Sequence, residues 1–333
     1  MIGEMAQTRR YSEQAKLVAL RSAPLILFAI VIALFSLLSD RFLTVQNFLN
    51  ILTQSSHVAI LGIGMTFVLL IAGIDLSVGA IMFLAVAVMS IYVPDATPVT
   101  GFLTCLAVGI AFGAVNAVVI TWVRIAAFIA TLSALFIGRG IALYITETRM
   151  AFMNMDILSL GRLAYLGIPW AIWVFAAVFL VAFVTLRSTP FGRQLYAIGE
   201  NRSAALKAGI NVNAIQFAVY VISGACAGIA GFVSITQVGA ASATFGLEKE
   251  FAAIAAAVLG GTSLFGGRGG VVGTVFGAVL IQTAYSGLVI INANPYIYPL
   301  VTASIIFVAV FVDSQRVRIL ETINRRTIRV EEA

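Results

Sequence analysis

Charge is scarce in this sequence: of its 333 residues only 10% are Asp, Glu, Lys or Arg, while 61% are hydrophobic. Soluble domains carry roughly 25% charged residues, so an ordinary water-soluble globule is excluded and most of the chain is dissolved in lipid. Cysteine is nearly absent. Cys105 and Cys226 each lie in an apolar segment without CxxC spacing, which excludes a disulfide framework and leaves them as small packing residues. With His57 the single histidine, a cysteine–histidine metal site is excluded as well. No GxxxxGK[ST] loop occurs, and Gly260-Gly261-Thr262-Ser263 lacks the lysine that would reach a phosphate. ATP is therefore not bound here by that route, and no cofactor is expected in this chain. Neither paired carboxylates nor a nucleophile beside a base is found, so an enzyme is not expected.

What is present is a series of long uncharged runs. Their punctuation predicts an all-α polytopic membrane protein of about ten spans, near 23–38, 57–73, 76–93, 101–121, 125–146, 169–187, 213–236, 251–266, 271–291 and 297–313. Residues 1–22 then form an N-terminal segment, 23–313 one transmembrane domain and 314–333 a C-terminal tail. The first apolar run follows Arg9, Arg10, Lys16 and Arg21 like a secretory signal, but Ser36-Leu37-Leu38-Ser39 is not a small-residue cleavage site, so a retained first span is expected. Basic residues orient the map. With the N-terminus inside, the cytoplasm receives the four residues before position 23, Arg124, the group from Arg187 to Lys207, Arg268 and the group from Arg316 onward. Outside loops keep only Arg41, Arg149, Arg162 and Lys249. Both termini are thus expected in the cytoplasm, and the net charge of +6 needs no nucleic acid to explain it.

Asp75 is the only formally charged residue between Arg41 and Asp95, within GIDLSVGA. A carboxylate at membrane depth costs about 2.5–3.5 kcal/mol on insertion scales, so it needs a purpose. Three stay open: a turn residue capping the helix after it at the cytoplasmic end, a group touching cargo, or the proton or sodium site of an ion-coupled secondary transporter. Arg139 is the second intramembrane charge; its side chain either snorkels to the surface or pairs with Asp75. His57, at the start of the second span, is expected to make an interfacial hydrogen bond.

The longest cytoplasmic connection, residues 187–213, interleaves Tyr196, Ile198, Ala204, Ala205 and Leu206 with Arg193, Glu200, Arg202 and Lys207. It reads either as an amphipathic surface helix or as a solvated basic loop. Three long stretches in register then carry a resemblance: GMTFVLLIAGIDLSVGAIM (64–82), TPFGRQLYAIGENRSAALKAGINVNAIQFAVYVISGACAGIAGFV (189–233) and EFAAIAAAVLGGTSLFGGRGGVVGTVFGAVL (250–280). Together they resemble the permease subunits of ribose-type sugar ABC importers over roughly residues 45–313. Departures are local. Ala252 stands where the family has an acid, Ala126-Ala127 where it has a proline before the Phe128-Ile129-Ala130 stretch, and Ala117 where it has a glycine.

The resemblance implies a type II importer-like fold with an inverted repeat of spans 2–5 and 7–10, in which two permease copies, identical or paralogous, form a pathway between them. It implies a separate cytosolic ATPase, a periplasmic sugar-binding protein and a bacterial inner-membrane location. The ATPase would engage the 187–213 loop through Phe191, Gly192, Arg193, Gly199, Glu200, Asn201, Ala205 and Gly209. The binding protein would dock on periplasmic loops 147–168 and 237–250, with Glu248 and Glu250 as docking acids. Cargo would be a monosaccharide or polyol, with nucleoside or amino-acid permeases sharing related architectures. Polar groups in or beside the spans, Thr66, Ser77, Asn116, Thr131, Ser133, Ser223, Thr262, Ser263 and Gln282, serve either such a pathway or helix packing. Asp75, Ser77, Asn116, Arg139, Thr262 and Ser263 are the pathway or gate candidates. The small-residue face Gly224, Gly228 and Gly231 has spacing that suits close helix contact.

Overall fold

The computed structural model describes residues 25–301 together with 303–305, 307, 308 and 311. The expected N-terminal segment 1–22 and C-terminal tail 314–333 lie outside the described residues. The chain divides into two compact units, 45–282 and the pair 1–44 with 283–333. In the smaller unit, α1 (Leu25–Leu38) sets Phe35 against Gly287, at a position where a Cβ would strike the ring.

The larger unit is built from α2 (Val45–Leu70), α3 (Val78–Tyr92), α4 (Pro98–Thr121), α5 (Ala127–Ile145), α6 (Met155–Arg162), α7 (Trp170–Ser188), α8 (Pro190–Glu200), α9 (Arg202–Lys207), α10 (Val212–Val238), α11 (Lys249–Leu259) and the first part of α12 (Val271–Ile290). Two short antiparallel strand pairs complete it, one a hairpin and the other joining Ala151–Phe152 to Ala240–Ala241. Among the described residues, six helices are long and apolar enough to cross a membrane: α2, α4, α5, α7, α10 and α12. Of these α2 and α10 are mostly buried, 78% and 72%, whereas α5 and α7 are only 28% and 22% buried. An apolar helix that leaves most of its surface exposed needs lipid around it, so α2 and α10 are the inner pair.

Glycine sets that inner packing. A Cβ on Gly109 would meet the Gly224 carbonyl, one on Gly113 the Tyr220 carbonyl, and one on Gly228 the Cys105 carbonyl. The i,i+4 glycines of α4 and α10 thus bring two backbones into direct contact, the main route to helix adhesion where surrounding solvent is as apolar as the side chains.

Two span boundaries differ from expectation by more than a few residues. The second span starts at Val45 rather than near residue 57. Its polar first turns satisfy themselves, with Thr53 Oγ1 donating to Leu49 O, Ser56 Oγ to Leu52 O, and Gln54 Oε1 accepting from Gln282. The eighth span, expected to reach residue 266, ends at Leu259, because Gly260 and left-handed Gly261 stop it. Eleven residues rise about 16 Å, half of a hydrocarbon core. Helix α3, at 15 residues, is also short. Both short helices are entered from irregular backbone, 71–77 before α3 and 242–248 before α11. Unpaired peptide groups at such depth are tolerated only inside protein or along a water-filled path.

Candidate functional site

The first irregular entry begins where α2 turns over at Ala72 (φ +58) and Gly73, whose N–H groups donate back to Leu69 O and Val68 O. Asp75 follows and is fully buried. Its Oδ1 accepts the Ser77 N–H (3.0 Å) and the Ser77 hydroxyl (2.6 Å), and its Oδ2 accepts the Ser223 hydroxyl of α10 (2.7 Å). The Ser77 oxygen in turn accepts from Asn116 of α4 (2.8 Å), and Thr131 of α5 donates to the Ile74 carbonyl (3.3 Å). Both carboxylate oxygens are engaged, so the knot holds a charge that would be expensive if bare.

Asp75 is thus fastened to the body of α10 rather than to its end. Ser223 stands 11 residues into α10 from Val212, a depth of about 16 Å along that helix. Asp75 is not itself the cap of α3. Ser77 occupies that position and makes no side-chain cap bond, because its hydroxyl is spent on Asp75.

The second irregular entry meets the first half of the chain through Arg139. From α5 its Nη1 donates to Ala243 O (2.9 Å) and its Nη2 to Phe245 O (3.4 Å), with the guanidinium 5.6 Å from the centre of the Phe83 ring. The considered pairing with Asp75 is therefore not formed: serine hydroxyls satisfy Asp75, and loop carbonyls hold Arg139. Glu248 is exposed in a left-handed conformation at the start of α11. Glu250 is only 5% exposed, with Oε2 unpartnered and pressed towards Gly79 at the start of α3. Burial removes Glu250 from the docking surface expected of it, whereas Glu248 remains accessible. Neither ring nitrogen of His57 meets a hydrogen-bonding group among the described residues.

Thr262 and Ser263 are buried in the loop after α11, where they fold the loop on itself. Thr262 Oγ1 accepts the Gly270 N–H (3.4 Å), Ser263 Oγ accepts the Phe265 N–H (3.1 Å), and the Ser263 N–H donates to Arg268 O (2.9 Å). Thr66 of α2 and Thr274 of α12 share a hydroxyl contact of 2.6 Å.

Most of residues 187–213 is helical, in α8 and α9, which resolves the open choice in favour of amphipathic helices. Thr189 caps α8 by accepting from Gly192 N–H, Pro190 takes the first helical position, and Asn201 caps α9 by accepting from Ala204 N–H. Gly209 (φ +82) ends α9 in the left-handed conformation. Leu195, Ile198 and Ala205 are buried, while Arg193, Glu200, Asn201, Arg202 and Lys207 are exposed. Phe191 approaches Phe67 of α2 with ring centres 6.4 Å apart, and Gly192 lets α8 turn tightly against Thr185 and Leu186 carbonyls.

One seam was invisible in the sequence. A Cβ on Gly199 would collide with Leu70 O, the last residue of α2, and with Gly267 N. Gly267 N–H donates to Leu70 O (3.0 Å), and Tyr196 Oη donates to Gly269 O (2.9 Å). Partial burial pushes the Tyr196 phenol above its ordinary range, so it stays a donor. The α8 end thus touches both the exit of α2 and the loop before α12. Glycine at 199, 266 and 267 was the available signal, but nothing in the spacing named their partners. Among the described residues no group of His, Cys, Asp and Glu could hold a metal ion.

Comparison with known proteins places this arrangement. The family described as branched-chain amino acid transport system / permease component matches residues 47–312. The ribose import permease protein of Escherichia coli (strain K12) is 39% identical over 95% of this chain and 100% of its own length. That of Bacillus subtilis (strain 168) is 36% identical over 86% of this chain and 90% of its own. The D-allose transport system permease protein of Escherichia coli (strain K12) is 36% identical over 86% and 89%. No solved structure matches the chain. With nearly its whole length aligned to such relatives, the chain belongs to the ribose-type permease components of ABC transport systems.

Proposed function

We propose that this chain is the membrane subunit of an ABC importer that carries a monosaccharide or related polyol from periplasm to cytoplasm, driven by a separate ATPase. The observation that carries the reading is the similarity to ribose and allose permeases across almost the entire chain. The exposed charged face of α8 and α9 supports a cytosolic partner there, with Arg193, Glu200, Asn201 and Gly209 reaching the ATPase and Phe191, Gly192, Gly199 and Ala205 passing its motion inward. Closure of the ATPase moves these helices, and the inner path opens by alternating access.

In the same reading the fold is type II-like, with about ten spans, both termini cytoplasmic, and two opposed repeats beginning at α2 and α10. Each repeat runs from a long buried helix through irregular backbone into a short helix, which supports the inverted layout. Two permease copies complete the pathway in the bacterial inner membrane, and a periplasmic binding protein docks outside with Glu248 among its contacts. Asp75, Ser77 and Asn116 hold the wall of that path; Arg139, Thr262 and Ser263 hold its two irregular loops.

The test is uptake of radiolabelled D-ribose and D-allose into proteoliposomes holding the permease with its ATPase and binding protein. ATP-dependent uptake is expected. Uptake by the permease alone under an ion gradient would instead favour a secondary transporter, and a binding protein whose melting temperature rises only with amino acids or nucleosides would change the cargo.

A further inference from the structure

An open groove of about 520 Å³ lies where α7 ends, bounded by α8 and by the loop and first turn that begin α12. Its volume falls in the range of small-ligand sites. Phe183, Leu186 and Arg187 line it from α7, spaced so that they share one face of that helix. Phe183 therefore stands about 6 Å deeper along α7 than Arg187. Across the groove Val271 and Val272 supply a second apolar wall. Among the described residues that line it none is acidic. The groove thus pairs apolar walls with a single cation at one end.

Lipid reaches this place. Helix α7 is only 22% buried, and Val272 on the opposite wall is exposed. From Trp170 to Leu186 the span carries no charge, so Arg187 is the first charged residue at its end and stands at headgroup level. Its guanidinium lies 5.6 Å from the centre of the Phe183 ring, held over an aromatic face while its fork of in-plane donors stays open to a phosphate. The Tyr196 hydroxyl is committed to Gly269 O, so that tyrosine serves as wall and anion recognition falls to Arg187. The positive end of α12, which begins at Val271, adds to the same potential.

We infer that this groove seats an anionic phospholipid, with its phosphate on Arg187 and the start of an acyl chain along Phe183 and Val272. Charge and polarity select that occupant. A soluble phosphate would use the arginine and leave the apolar walls bare, and a zwitterionic lipid would bring a second cation towards the first. Seated there, the lipid braces α7, α8 and the start of α12 beside the Tyr196–Gly269 bond. The seat is independent of what cargo the permease carries.

The experiment titrates the full-length permease in dodecyl maltoside with phosphatidylglycerol, phosphatidylcholine or inorganic phosphate, reading the melting temperature and, by native mass spectrometry, the bound lipid. Phosphatidylglycerol is expected to raise the melting temperature well beyond phosphatidylcholine. Arg187→Gln is expected to raise the apparent Kd for phosphatidylglycerol about fivefold. Val272→Trp, which fills the groove while keeping every charge, is expected to weaken binding at least as much. Arg124→Gln, which removes an exposed arginine that does not line the groove, is expected to leave Kd within about twofold of wild type. Equal weakening by Arg124→Gln and Arg187→Gln would reduce the effect to general surface charge and overturn the seat, as would a wild-type Kd in Val272→Trp. Equal shifts with the two lipids would overturn the anionic headgroup. Stabilisation by inorganic phosphate equal to that by phosphatidylglycerol, and lost in Arg187→Gln, would reassign the groove to a soluble anion. If Arg187→Gln does not fold, Val272→Trp decides alone, because it leaves the arginine in place.

Discussion

Two carboxylates stand at the starts of the two short helices, and they are treated in opposite ways. Asp75, before α3, is fully buried and has both oxygens occupied by Ser77 and Ser223. Glu250, in the first turn of α11, is nearly as buried and keeps one oxygen without a partner. The two acids share their burial and differ in how far their hydrogen-bonding capacity is filled within the protein. A carboxylate whose oxygens accept several hydrogen bonds fastens the segments that donate them.

Substitutions that remove charge from each acid in turn test this contrast most strongly. Asp75→Leu leaves Ser77 and Ser223 hydroxyls and a peptide N–H buried without their acceptor, so a loss of about 4 kcal/mol or more and poor recovery of folded protein are expected. Asp75→Asn keeps the shape but halves the acceptor capacity, for a loss of about 2 kcal/mol. Glu250→Gln is expected within about 0.5 kcal/mol of wild type, since it deletes a charge that was not repaid. Thermal unfolding in detergent ranks the three, and equal destabilisation by Asp75→Asn and Glu250→Gln would erase the distinction.

Smaller effects are expected at the edges of the same comparison. Gly199→Ala pushes a methyl group into the Leu70 carbonyl, which is backbone and cannot swing away. About 1–3 kcal/mol of overpacking is expected, with sugar uptake falling further than ATP hydrolysis. Uptake at the wild-type rate would show that this seam passes no motion. Asn116→Ala removes one donor from the Asp75 knot and should lower stability by about 1 kcal/mol. Tyr196→Phe frees Gly269 O, close enough to solvent to be rehydrated, and should change unfolding by less than about 1 kcal/mol. A larger shift at Tyr196 than at Asn116 would place the critical knot at the seam of α8 with the loop before α12 instead.

Much of this was legible in the residues. Uncharged runs located the helices, and their punctuation placed most boundaries within a few residues. Boundaries failed where local chemistry was self-sufficient or glycine intervened: the polar turns 45–56 cap their own hydroxyls on helix carbonyls, and Gly260-Gly261 ends α11 inside an apolar run. Asp75, Ser77, Asn116, Thr131 and Ser223 were each visible as polar groups in apolar surroundings. That they form one network was not, because Ser223 is 148 positions from Asp75. Glu248 and Glu250 look equivalent in Glu248-Lys249-Glu250, yet the left-handed Glu248 before α11 is left in solvent while Glu250, two residues on, turns inward.

The sequence by itself determined a membrane-embedded helical chain and a set of polar groups in its apolar runs. Those follow from composition and period, which act locally. Only the tertiary structure decided that Asp75 is saturated, that Arg139 grips the loop before α11 rather than Asp75, and that Gly199 closes on Leu70 and Gly267. Each of these is a pairing between distant segments, and hydrogen-bond capacity is filled by whichever groups the packed helices bring within reach.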